Sequence, residues 1–216
     1  REKLASQLWP DSPENRARKY FRQALWQLQA ALAETTRAAG DILELKGGWV
    51  QLKMINALKI DAHQFKTVYQ QVRFLPIAQL TEKEAAKMMK VVALYQGDFV
   101  TGWTQDWCLL ERVRFQSMQL ALLDNLVDYF QLTQQYAQGI EYAMELLRHD
   151  LARERSHRRL MRLHYLAGNR TAALRQFEMC RQALAKELQV EPSKKTVTLY
   201  KHIRSDSGDL FSNGIP

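Results

Sequence analysis

The sequence predicts a mainly α-helical chain: a tandem helical repeat preceded by a helix-turn-helix unit with a short β-hairpin. Three observations predict it. First, the stretch from Leu126 to Leu184 repeats with a period of 34 residues, so that Leu132–Ile140 falls on Leu166–Leu174 and Leu126 on Leu160. Second, Ala17, Phe21, Ala24, Leu25, Leu28 and Leu32 recur at the 3.6-residue spacing of an amphipathic helix. Third, two alternating runs, Ile42–Lys46 and Trp49–Lys53, flank Gly47-Gly48, the strongest hairpin signal in the chain.

Helix, polar turn and helix with a period of 34 is the pattern of a tetratricopeptide-type array. Such hairpins cannot bury their apolar stripes alone, so they stack and leave a concave surface for a partner. Gly139 falls on Ala173 and Ile140 on Leu174. A small residue before the aliphatic one lets two helices cross closely. The alternative is two helical hairpins of similar length with no binding groove.

In chain order, residues 1–9 form a helix with Leu4, Leu8 and Trp9 on one side. Pro10 and Pro13 break it, and Ser12 before Pro13 opens a longer helix to about Thr35. Its polar face carries Arg16, Lys19, Tyr20, Gln23 and Gln27. Gly40 ends it, and the hairpin follows. Helix, turn, longer helix and hairpin is the order of the second half of a winged helix, in which the second helix enters the major groove and the hairpin touches the backbone. Lys and Arg neutralise phosphates, and Gln or Arg bond base edges. Arg16, Lys19, Tyr20, Gln23 and Gln27, with Lys46 and Trp49 of the hairpin, are therefore the candidate DNA-binding residues; a solvated helix face beside an ordinary hairpin is the alternative.

Beyond a link at 54–60, Asp61 opens a helix with Phe65, Val68, Tyr69 and Val72 inward, and Thr81-Glu82-Lys83-Glu84 is a capping box for the next. Gly97, Phe99, Gly102, Trp103 and Trp107 mark a packed, irregular connection; a ligand cage of Trp103 and Trp107 is the sharper alternative to packing. A long helix from about Asp106 to Thr133 leads into the repeat, and Ser193 caps a last helix. The domains are 1–58, a winged helix-turn-helix whose N-terminal part is missing; 59–205, the tetratricopeptide-like part; and 206–216, a disordered tail rich in Ser, Gly and Asp.

Composition narrows the function. The 216 residues are 46% hydrophobic and 25% charged, ordinary for a globular protein. No run of 18 apolar residues exists, which excludes a helical membrane span. Two cysteines, Cys108 and Cys180, lie outside any paired motif and read as buried thiols in a reducing, cytoplasmic compartment. No signal peptide is legible, and a chain beginning at Arg1 is expected to be a piece of something longer. The net charge of +8 is concentrated in residues 151–205, where thirteen Lys/Arg meet four Asp/Glu. A polyanion is a natural partner for such a chain. Arg153, Arg155, Arg158, Arg159 and Arg162 form the densest basic run. A solvated helix face, a second DNA-backbone contact and a docking patch for an acidic partner, with Arg155, Arg158, Arg159 and Arg162 as its residues, all remain open for it.

These residues also carry a resemblance. Gly97-Asp98-Phe99, Gly102-Trp103, Asp106-Trp107-Cys108 and Glu111-Arg112 resemble the hallmark of the bacterial transcriptional activator domain of SARP-type regulators, as do Leu160–Leu163, Ala167–Arg170, Ala172–Glu178, Cys180-Arg181, Glu187-Leu188, Val190–Ser193 and Leu199-Tyr200. Arg1–Leu4 with Leu8-Trp9-Pro10 resembles the positioning helix of an OmpR-type winged helix. Arg16-Ala17-Arg18, Phe21–Leu25 and Leu28 resemble its recognition helix. The resemblance covers residues 1 to about 204 and implies a transcriptional activator that binds double-stranded DNA. Its helical domain would meet a second protomer or RNA polymerase, with no cofactor.

Three departures stand out. The recognition helix of the family usually continues Leu-Arg-Arg, and here it reads Leu28-Gln29-Ala30. Two lost phosphate contacts would flatten the salt dependence of binding by roughly two units. The sheet and first helix that open a winged helix are not in this sequence, leaving Phe21, Leu25 and Leu28 less to pack on. Gln189 stands where the family often has Gly, a difference in turn geometry.

Catalysis has no foothold. There is no phosphate loop, CxxC, HExxH or Gly-x-Ser-x-Gly. His157 and His164 lie seven residues apart on one helix, roughly 10 Å at 1.5 Å per residue, too far to share a metal without other ligands. The chain reads as a DNA-binding activator, with a signalling scaffold carrying a vestigial winged helix as the alternative.

Overall fold

A computed structural model describes residues 1–35, 42–53 and 59–205. Gly40, the 54–58 part of the link and the 206–216 tail lie outside them. The fold is mainly helical, with one two-stranded antiparallel hairpin. It divides into two compact units, Arg1–Gln64 with Gly97–Phe115, and Phe65–Gln96 with the chain from Gln116 onward.

The first unit opens with α1 (Glu2–Leu8) and α2 (Glu14–Thr35). Ala5, Ala17 and Phe21 are buried between them, and Leu8, Trp9, Leu25 and Val50 pack around that cluster. The buried face of α1 thus centres on Ala5, with Leu4 exposed. Leu28 departs from the expected stripe: it is 46% exposed, since the helical packing beside α2 ends near Leu25. Strands β1 (Leu43–Lys46) and β2 (Trp49–Leu52) pair with Leu43 opposite Leu52 and Lys46 opposite Trp49. Gly47 and Gly48 both adopt positive φ, 54° and 83°. That is the conformation a two-residue primed turn requires, and the one L side chains resist.

The loop before the long helix belongs to the same unit. Val100 sits at φ 49°, uncommon for a β-branched residue. The Arg112 guanidinium holds this loop by donating to the carbonyls of Phe99, Val100 and Trp103 at 2.8, 2.6 and 2.6 Å. Phe99 stacks on Phe115, with ring centroids 4.9 Å apart. Trp103 and Trp107 meet edge-on at 6.4 Å, packing on each other, with Trp103 still half exposed.

In the second unit α3 (Asp61–Val72) buries Phe65 and Val72, and a 3-10 turn at Ile77–Gln79 leads to α4 (Glu82–Val92). The expected capping box opens α4: the Thr81 hydroxyl accepts from the Glu84 amide while the Glu84 carboxylate accepts from the Thr81 N–H. Four more helices follow α5 (Asp106–Leu132): α6 (Tyr136–His149), α7 (Glu154–Leu166), α8 (Arg170–Leu188) and α9 (Lys194–Ser205). The 34-residue period is kept at both ends of the turn: α5 ends at Leu132 and α7 at Leu166, α6 begins at Tyr136 and α8 at Arg170.

Leu122, Leu123, Leu126 and Val127 of α5 are fully buried, so this part of α5 is enclosed by its neighbours. Helix α6 packs on α7, α7 on α8, and α9 closes the stack. A Cβ added at Gly139 would stand 3.2 Å from the Leu163 side chain and 3.5 Å from that of Phe130. The glycine therefore sits where neighbouring helices approach closely, and its repeat partner Ala173 is fully buried. No described helix is long and apolar enough to cross a membrane.

Candidate functional site

Two polar surfaces emerge, one in each unit. On α2 the amphipathic period that buries Ala17 and Phe21 turns Arg16, Lys19, Tyr20, Gln23 and Gln27 outward, and all five are exposed. Arg18 lies off this row. It clamps the two helices, donating to Glu2 at 2.8 Å and to Glu14 at 2.5 Å. The Tyr20 ring lies 6.0 Å from that of Trp9, tilted by 48°, which limits where the phenol can point. Lys46 is exposed beside the Gly47-Gly48 turn, and Trp49 is 77% exposed. The hairpin is held on the α2 core through Val50. The row and the wing are thus carried on one small core.

Sequence reasoning missed two residues beside the row. Arg22 is exposed, and Trp26, one turn further on, is 69% exposed. Their signal was positional: at i+3 and i+7 from Lys19 they flank the same face.

In the second unit the basic run divides between interior and surface. Asp124 and Asp128, one turn apart on α5, receive it. Arg153 binds Asp124 through two parallel hydrogen bonds of 3.1 and 2.8 Å. Arg159 donates to Asp124 and, at 2.6 Å, to Asp128, and is only 8% exposed. Burial pushes the Asp128 carboxyl up despite the pull of Arg159, and burial likewise lowers Arg159. Both directions mark a pair whose desolvation outweighs its attraction. Arg155 reaches Asp124 only at 4.0 Å and its side chain is 59% exposed. Arg158 is half-buried, 3.6 Å from Glu154 and donating to the Thr196 hydroxyl at 3.2 Å. Arg155, Arg158, Arg159 and Arg162 nevertheless line one cleft of about 670 Å³, with Ile77, Ala78, Asp128, Gln131 and Leu132.

Glu154 is a junction between α7 and α9. Its carboxylate accepts from the Ser193 amide at 2.8 Å, the Ser193 hydroxyl at 2.7 Å and the Thr196 hydroxyl. Burial alone would raise its pKa, but these hydrogen bonds together hold it below the usual range. Ser193 starts α9 with its carbonyl, which accepts from the Thr196 and Val197 amides, while its hydroxyl serves Glu154.

His157 is buried: its Nε2–H donates to the Leu151 carbonyl at 2.9 Å and its Nδ1 accepts from the Gln176 amide at 2.6 Å. Burial lowers its pKa and keeps it neutral. Burial also pushes the Cys180 thiol up to about 12, which leaves it an inert packing group. Among the described residues no cluster of His, Cys, Asp or Glu could hold a metal ion.

Helical hairpins of one period, stacked and carrying an ion-paired seam, define a tetratricopeptide-type repeat domain. Residues 60–204 match the bacterial transcriptional activator domain. The chain belongs to that family, a domain of transcriptional regulators. Among solved structures it is similar to Mycobacterium tuberculosis EmbR in complex with a low affinity phosphopeptide, with 16% identity and a TM-score of 0.62, covering 95% of this chain and 54% of that one. The chain thus spans about half the length of EmbR, and the likeness is one of fold. No curated protein matches it.

Proposed function

We propose that the chain is the DNA-binding and activator part of a SARP-type transcriptional regulator, with residues 1–58 as a winged helix-turn-helix and 59–205 as the activator domain. Helix α2 enters the major groove. Arg16 and Lys19 meet phosphates or guanine edges, Gln23 and Gln27 read base edges, and Tyr20 contacts the backbone. Lys46 and Trp49 of the wing lie beside the groove. The helical domain presents its surface to a second protomer or to RNA polymerase. The observation that carries this reading is that all five residues of the α2 row are exposed on the same core that holds the hairpin.

The test is fluorescence polarisation of labelled promoter duplexes at two salt concentrations. Three phosphate contacts from Arg16, Lys19 and Lys46 correspond to a slope of about −3 in log K against log salt. Replacing Lys19 by Ala should lower affinity evenly across sequences and take about one unit off that slope. Absent or salt-independent binding would instead favour a signalling scaffold with a vestigial winged helix, the reading that Gln29-Ala30 in place of two arginines supports.

A further inference from the structure

The cleft on α7 combines two kinds of lining. One wall is cationic: Arg155, Arg158 and Arg162 follow one another along α7 at helical spacing, with Arg159 behind them. The other is apolar: Ile77 and Ala78 of the 3-10 turn and Leu132 at the end of α5, which is 58% exposed.

The charges around the cleft do not cancel. Among the described residues, Arg153, Arg155, Arg158 and Arg159 face three carboxylates, Asp124, Asp128 and Glu154, leaving a surplus of one cation. The pairing places that surplus outward. Asp124 and Asp128 are held by Arg153 and Arg159, and Glu154 by Ser193, Thr196 and Arg158. Arg155 is more exposed than Arg158 or Arg159 on the same helix. A ligand of matching chemistry carries carboxylates on one side and a large apolar side chain on the other, as an acidic amphipathic peptide does. Duplex DNA answers the cationic wall but has nothing for Leu132 and Ile77.

We propose that this cleft is a docking site for an acidic, amphipathic segment of a partner protein, its carboxylates on Arg155 and Arg158 and its apolar side chain on Leu132 and Ile77. The proposal rests on reading the helical domain as the partner-binding half, and names the chemistry of the partner. Arg159 takes no direct part; its pairing with Asp124 and Asp128 fixes the helix that presents the other two.

The experiment uses the whole chain and a fluorescein-labelled peptide of Glu and Leu patterned on a helical period, against the same peptide with Gln for Glu. The Glu/Leu peptide is expected to bind, and the Gln/Leu peptide at least about tenfold more weakly, since charged contacts at a partly desolvated site dominate such recognition. Arg155→Glu and Leu132→Asp change exposed positions, so both should fold, and each should weaken the Glu/Leu peptide about tenfold or more. Promoter DNA binding in the same variants should be unchanged, which separates this site from the α2 surface. Equal binding of the two peptides, unaltered binding by both variants, or displacement of the peptide by duplex DNA in proportion to its phosphate would each overturn the proposal. Absence of DNA binding by the unaltered chain, with peptide binding intact, would instead overturn the α2 reading alone.

Discussion

Helices α2 and α7 are both rich in Arg, and they use it in opposite ways. On α2 the proposed DNA-binding row faces water: Arg16 and Lys19 are exposed, and Arg18, which is tied into ion pairs, points elsewhere to bind Glu2 and Glu14. On α7 the run is anchored inward, with Arg159 buried against Asp124 and Asp128 and Arg153 doubly bonded to Asp124. A cation left in water can bind a polyanion and adds little to stability. A cation drawn into the protein is fixed in place and makes the fold depend on it. Density of basic residues therefore does not by itself locate a binding surface; the partners on the neighbouring helix decide.

The largest effect should come from breaking the buried seam. Arg159→Ala leaves Asp128 without its guanidinium while Asp124 keeps Arg153, and a half-buried carboxylate that loses its charged hydrogen bond costs about 2–3 kcal/mol. Chemical denaturation of the variant should show that loss, with promoter affinity of the folded protein unchanged. Arg16→Ala on α2 should do the reverse, moving stability by no more than about 0.5 kcal/mol while DNA affinity falls. If both substitutions cost stability equally, the contrast between the helices is wrong.

The sequence made some of this contrast legible and hid the rest, for a physical reason. Features set within one element or one period could be read: the 34-residue register, the Gly47-Gly48 turn, the Thr81 capping box and the outward row of α2. Features set by a distant partner could not. Arg155 and Arg159 are the same residue type four positions apart, and only Asp124 and Asp128, some thirty positions upstream on α5, distinguish their surroundings. The fork of Arg112 on three loop carbonyls, the seat of His157 and the Glu154 junction are likewise long-range pairings. The exposure of Leu28 shows the converse, a periodic apolar position with too little beside it to bury it.

A second substitution sharpens the helical side of the comparison. Gly139 faces Leu163 at a distance where an added Cβ would press on a movable side-chain end. Gly139→Ala should be close to neutral, because up to about 1 kcal/mol of helix propensity offsets the crowding. Gly139→Leu overfills the crossing and should cost about 1–3 kcal/mol. Thermal or chemical unfolding of the pair checks this, and a Leu variant as stable as the Ala variant would mean the helices do not meet closely there.

Acid should weaken the α7 side of the comparison in two steps. The folded pKa of His157 is depressed by burial, so its contribution to stability is full above the unfolded value and is lost as pH falls from about 6.5 through the folded value. One proton sets the ceiling on that slope, about 1.4 kcal/mol per pH unit. Glu154, also depressed in net, acts in a lower window: its contribution is present above the unfolded carboxylate value of about 4.3 and disappears as pH falls through its own folded value. Unfolding curves between pH 7 and 5 should therefore lose stability in the wild type and do so less steeply in His157→Gln, His164, also lowered by burial, keeping its share. A slope unchanged by the substitution would point to other groups.

The smallest expected change is a gain. Gln189 ends α8 in the left-handed region, φ 56° and ψ 36°, with its N–H on the Leu184 carbonyl. A helix leaves by this route most easily on glycine, which has no Cβ to clash there. Gln189→Gly relieves that strain but adds freedom to the unfolded chain, so the net gain should be at most about 1 kcal/mol. Promoter affinity should not move, since the strain lies in the helical unit. If glycine destabilises the protein instead, the Gln189 side chain supports the turn into Val190-Glu191-Pro192-Ser193 in a way its backbone angles do not reveal, and the cap is more than a strained stop.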